Sequence, residues 1–63
     1  MEKLLLSMGE AAEVLELSRA YLYRLIEDET HPLPSIKIGR SRRIPAADLR
    51  RWVAERAAEG REV

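Results

Sequence analysis

The stretch "KIGRSRRIP", Lys37 to Pro45, places four cationic side chains (Lys37, Arg40, Arg42 and Arg43) around Gly39 and Ser41. Cations at this density, flanked by isoleucines, suit the binding of a polyanion, with guanidinium groups able to grip phosphate oxygens in a bidentate fork. Other chemistries lack their residue sets. The chain has no cysteine and a single histidine, His31, so no thiolate or histidine-rich metal site is expected. The acidic run Glu27, Asp28 and Glu29 has no Ser/His/Asp set, metal-spaced cluster or phosphate-cradling glycine loop beside it, and "GRSRR" lacks the P-loop pattern. The expectation is a protein that is not an enzyme and needs no cofactor and no metal.

Overall charge hides this cluster. The 63 residues hold 11 basic and 11 acidic side chains, for a net charge of zero. Residues 30–51 nevertheless carry six basic and one acidic side chain, while residues 1–18 carry one basic and four acidic. Basic charge is concentrated in one third of the chain, a distribution that the overall isoelectric point conceals. Apolar runs such as Leu4 to Leu6 are only a few residues long, so no membrane span and no signal peptide is expected, and a cytoplasmic protein is the default. The length suits one small domain over residues 1–63, with a thin core built on a few leucines, isoleucines and Trp52.

The elements that must hold the cations follow from periodicity. Ser7-x-x-Glu10 is a capping box, in which serine oxygen and glutamate carboxylate each satisfy the other's backbone N–H. Met8, Ala11, Ala12 and Leu15 then recur at helical spacing, which predicts a helix over about 8–15. Ser18 is an N-cap for a second helix over about 19–28, with Leu22, Leu25 and Ile26 inward and Arg19, Ala20, Tyr23 and Arg24 outward or flanking. Tyr21 is expected to pack on the hairpin or the apolar lead-in. Only Glu16 and Leu17 separate the two helices, which forces a steep crossing, the helix-turn-helix geometry. Glu16 falls where such turns take a positive φ, a conformation that costs a non-glycine residue about 1 kcal/mol.

"HPLPS" then ends the helix. "SIKI", "GRS" and "RRI" read as a two-stranded hairpin over about 35–44, with Ile36, Ile38 and Ile44 as inward candidates and Arg40 and Ser41 at the tip. Pro45 suits the first turn of a third helix over about 46–58, with Asp48 near its positive end. Leu49, Trp52, Val53 and Ala57 form its expected inward face, and Gly60 its stop, with fraying beyond. The spacing makes Trp52 a core anchor rather than a stacking platform for bases. The fold class is mainly α with a small β-hairpin: helix-turn-helix, two-stranded wing and C-terminal helix.

On the blocks "SMGEAAEVLELSRAYLYRLI", "SIKIGRSRRIP" and "ADLRRWV", the chain resembles the small MerR-like winged helix-turn-helix proteins of the excisionase and AlpA type, over roughly residues 4 to 55. The resemblance implies a phage or mobile-element recombination directionality factor: a protein that binds direct repeats in double-stranded DNA, bends them and directs a tyrosine or serine integrase toward excision. It implies a nucleoid-associated protein of a bacterial or phage-infected cell. A small transcriptional regulator of the same fold is the alternative, and a protein-interaction module without DNA binding is another. Head-to-tail self-association, acidic first helix against basic hairpin, is compatible with any of these.

The physics of DNA recognition distributes the work. Ser18, Arg19, Ala20, Tyr23 and Arg24 form the recognition surface, whose N-terminal end approaches base edges in the major groove. Arg19 or Arg24 suits guanine or phosphate, the Ala20 methyl a thymine methyl, and Tyr23 either gives its hydroxyl to a phosphate or packs on the hairpin or lead-in. Lys37, Arg40, Ser41, Arg42 and Arg43 form the wing, which follows the backbone or enters the minor groove.

Overall fold

The computed structural model describes residues 3–60. A short strand β1 (Leu5–Ser7) leads into helix α1 (Met8–Leu15), then helix α2 (Arg19–Ile26). Strands β2 (Ile36–Ile38) and β3 (Ser41–Pro45) follow, and helix α3 (Ala46–Gly60) closes the order. The expected fraying beyond Gly60 concerns residues outside the described range.

The capping box forms. Ser7 Oγ accepts from Glu10 N–H at 3.1 Å, and Ser7 N–H donates to Glu10 Oε1 at 2.9 Å. The Lys3 ammonium joins the same carboxylate. Lys3, then the Ser7 backbone N–H, hold the Glu10 carboxyl down from an ordinary 4.5 to about 2. The fold therefore favours the ionised acid: this contribution is complete above pH 4.5 and disappears as pH falls through about 2. The difference in melting temperature between wild type and Glu10→Gln should be constant above about pH 5 and shrink as the pH is lowered from there toward 2. A difference that stays flat over that range would contradict the assignment.

The turn between α1 and α2 has the expected left-handed residue, Glu16 at φ 56° and ψ 42°. Its strain is accepted because two chain-end bonds close there: Glu16 N–H to the Glu13 carbonyl at 3.1 Å, and Leu17 N–H to the Ala12 carbonyl at 2.9 Å. Glu16→Gly should relieve the strain and raise the melting temperature by about 4–8 °C, for about 1 kcal/mol. A lowered melting temperature would count against the strain.

Helix α2 ends at Ile26, short of the expected 28. Asp28 Oδ1 takes the N–H groups of Thr30 (2.8 Å) and His31 (3.0 Å), an Asx turn that competes with further helix. The same bonds lower the Asp28 pKa, His31 N–H first. Leu33 N–H then bonds back to the Leu25 carbonyl at 2.9 Å and carries the Leu33 side chain into the core.

The core comprises Met8, Ala11, Ala12, Leu22, Leu25, Leu33, Ile44, Leu49 and Trp52, with Leu6, Leu15 and Ile26 partly buried against it. Trp52 is 7% exposed, its Nε1 donates to the His31 carbonyl at 3.1 Å, and the His31 ring stacks on it at 5.9 Å. Two expected inward residues of α3, Val53 and Ala57, are exposed. The helix runs past the end of the core, and Arg56 instead continues the stripe, 5.1 Å above the Trp52 ring.

The sheet has three antiparallel strands in the order β1-β3-β2, not the two expected. The added strand takes in the last two leucines of the "LLL" run and Ser7, and pairs Leu6 with Ile44. Ile36 and Ile38 are a correction: they are 42% and 54% exposed. Register is the reason. β2 pairs Ile36 with Arg43 and Ile38 with Ser41, so both isoleucines share the face opposite Ile44.

Candidate nucleic-acid interface

Helix α2 buries Leu22 and Leu25 and leaves Ser18, Arg19, Ala20, Tyr23 and Arg24 exposed. Ser18 is the N-cap, accepting from Tyr21 N–H at 3.1 Å. The N-terminal end of the helix thus carries an exposed Arg19 and a small, exposed Ala20. Tyr21 departs from expectation, since it is 45% exposed rather than packed on the hairpin or lead-in. Its position beside the buried Leu22 places it on the helix shoulder, off the apolar stripe.

The wing is built by a two-residue turn. Ile38 pairs with Ser41, leaving Gly39 and Arg40 as the loop, and Gly39 takes φ 62°. A positive φ at the first loop position alone is the type II′ pattern, whose twist matches the strands it joins. Arg40 stands at the tip. Ser41, expected beside it, is instead the first paired residue of β3.

Pairing also decides where the remaining cations point. Lys37 lies directly opposite Arg42, so both occupy one face, the face that carries Ile44 further along. Arg43 lies opposite Ile36 and Ser7 on the other face. Arg42 is steadied by a 2.8 Å bond from Nη1 to Ser35 Oγ. Two cations directly opposite on neighbouring strands destabilise a hairpin. That cost is relieved when an anion binds between them.

Several of the described acids are engaged elsewhere. Glu10 is held by Lys3 and the capping box, Asp28 by the loop amides, and Asp48 lies 3.2 Å from Arg51. Glu55 and Glu59 stand 3.6 and 3.8 Å from the His31 ring nitrogens. Among the described residues, Arg19, Arg24, Lys37, Arg40, Arg42 and Arg43 make no salt bridge. No group of three or more His, Cys, Asp or Glu among them is placed to hold a metal ion. None of their helices is long and apolar enough to cross a membrane.

Two residues of this region carried little signal in the sequence. Ser35 is an unremarked serine until Arg42 is folded onto it. Gly9, a glycine inside a helical pattern, is a signal that periodicity passes over.

Three helices, two of them joined by a tight left-handed turn, and a small antiparallel sheet ending in a basic hairpin define a winged helix-turn-helix protein. Residues 5–57 match the family model described as a helix-turn-helix domain, and the chain belongs to that family. It is a DNA-binding protein whose partner is double-stranded DNA. No curated protein and no solved structure matches the chain.

Proposed function

We propose that the protein is a sequence-specific architectural DNA-binding factor of the excisionase type, binding direct repeats, bending DNA and steering an integrase toward excision. The observation that carries the DNA geometry is the coincidence of two unneutralised surfaces. One is the open N-terminal end of α2 with Ser18, Arg19, Ala20, Tyr23 and Arg24. The other is the wing with Lys37, Arg40, Ser41, Arg42 and Arg43. In this reading α2 enters the major groove and reads bases, while the wing follows phosphates or an adjacent minor groove. The excisionase role rests on the resemblance of the three sequence blocks and on a family that includes AlpA- and excisionase-like proteins.

The division of labour predicts different mutant phenotypes. Arg40→Ala should weaken binding to all DNA sequences alike, whereas Arg19→Ala or Arg24→Ala should also relax sequence preference, by about 1–3 kcal/mol at the affected base pair. Binding selection on random DNA measures both, and the reverse pattern would exchange the roles of helix and wing. For the biological role, footprinting on the genomic flanks of the gene decides. Protection of repeated sites at an attachment site beside an integrase gene supports excision. Protection of a single promoter site supports a small regulator of the same fold. Absence of salt-dependent DNA affinity would leave a protein-interaction module.

A further inference from the structure

Gly9 is the second residue of α1, a position where alanine would make a better helix. What occupies the space of its missing side chain is the first residue of α2. A Cβ built on Gly9 would lie 2.5 Å from Arg19 Nη2, 3.3 Å from its Cζ and 3.4 Å from its Nε. Real Cβ atoms do not come that close to another heavy atom, so the guanidinium lies where only glycine allows it. The atoms that meet Gly9 are the far end of a long, exposed side chain, without backbone among them. A side chain added there displaces Arg19 and leaves the fold intact.

We propose that Gly9 is a positioning residue for DNA recognition: its bare backbone is the seat that fixes the direction in which Arg19 presents its guanidinium at the start of α2. The inference rests on the reading of α2 as the base-reading helix. Arginine is among the side chains with most rotamer freedom to lose on ordering. A guanidinium already seated against α1 loses less of it on meeting a base edge, and reaches the base from one direction. Bidentate pairing with guanine depends on that direction. The helix thus gives up some intrinsic propensity at Gly9 in return for a fixed cation one turn away in space.

The test is Gly9→Ala in wild-type and Arg19→Ala backgrounds, with three readouts. Melting temperature should rise by a few degrees, about what the gain in helix propensity provides. Discrimination between the selected site and random DNA should fall roughly three- to tenfold in the wild-type background, and should not change where Arg19 is already alanine. The Arg19 Nε–Hε heteronuclear NOE, measured without DNA, should drop toward the value of a free side chain. Arg19→Lys, whose ammonium has no planar fork to lay on the seat, should reproduce the loss of discrimination. An unchanged Nε–Hε NOE in Gly9→Ala, or an equal loss of discrimination in both backgrounds, would overturn the proposal. Wild-type protein that binds DNA without sequence preference would overturn the base-reading role of α2, and Arg19→Ala with undiminished preference would overturn that of Arg19 and with it the recognition role of Gly9. The NOE would then still decide whether Gly9 seats Arg19.

Discussion

Trp52→Ala is expected to leave the chain largely unfolded at 25 °C. A single hydrophobic core in a domain of 63 residues supplies about 3–5 kcal/mol of stability. Removing a buried aromatic side chain costs about 3–5 kcal/mol through lost transfer energy and the cavity left behind. Here more than area is lost. Trp52 satisfies the His31 carbonyl, stacks under the His31 ring and lies beneath Arg56. The two His31 contacts fasten α3 to the loop that joins α2 to the wing, so their loss disconnects the two elements proposed to contact DNA from the same anchor. Trp52→Phe keeps an aromatic ring but no N–H, and should cost about 0.5–1.5 kcal/mol, the net worth of the part-buried bond to the His31 carbonyl. Circular dichroism melts and urea titrations check both. A cooperative Trp52→Ala melt within about 5 °C of wild type would show that the tryptophan is not the anchor, since about 1 kcal/mol shifts a domain of this size by roughly that much.

The second large effect concerns DNA. If the wing neutralises about four phosphates, log K should fall against log salt with a slope near −3.6 from the wing alone. The change Lys37→Ala, Arg40→Ala, Arg42→Ala and Arg43→Ala together should remove that slope. Over the decade from about 1 M salt, where the counterion term has faded, to 0.1 M, the lost affinity amounts to roughly three to four orders of magnitude. The fold should survive. Lys37 and Arg42 repel each other across the strands, and separating like charges offsets part of what the Arg42 bond to Ser35 contributes. Gel shifts at several ionic strengths, with a melt on the same sample, measure both halves. An unchanged slope in a folded quadruple variant would take the wing out of the interface.

Several features were legible because they are local. The capping box at Ser7 and Glu10, the Ser18 cap, the left-handed Glu16 and the apolar stripe Met8, Ala11, Ala12 all depend on neighbours within one turn. The tight turn at Gly39 has the same origin, since a two-residue loop needs a residue tolerant of positive φ. Such constraints are written in spacing alone, and they sufficed for the winged helix-turn-helix class.

The departures share a different cause. Leu33 sits alone between two prolines, so no periodicity announces it, and only the backbone bond to Leu25 turns it inward. Strand β1 is the end of an apolar run, Leu5 and Leu6, followed by Ser7, with no alternation to announce it, and its pairing partner lies far along the chain in β3. Ile36 and Ile38 have the alternation of a half-buried strand, but a pattern of period two cannot say which face is buried. Val53 and Ala57 have helical spacing, yet spacing does not reveal where the core ends.

By itself the sequence determined the helices and the wing hairpin, their order, the caps and turns between them, and the concentration of cations in one third of the chain. These follow from backbone sterics and local hydrogen bonding, which act between residues close in sequence. Tertiary structure alone decided that Lys37 faces Arg42 while Arg43 turns away, that the wing isoleucines are outside, and that Arg19 lies in the space left by Gly9. Those are matters of register and close approach between distant segments. They are fixed by how the strands pair and how α1 and α2 cross, and no residue spacing along one segment encodes them.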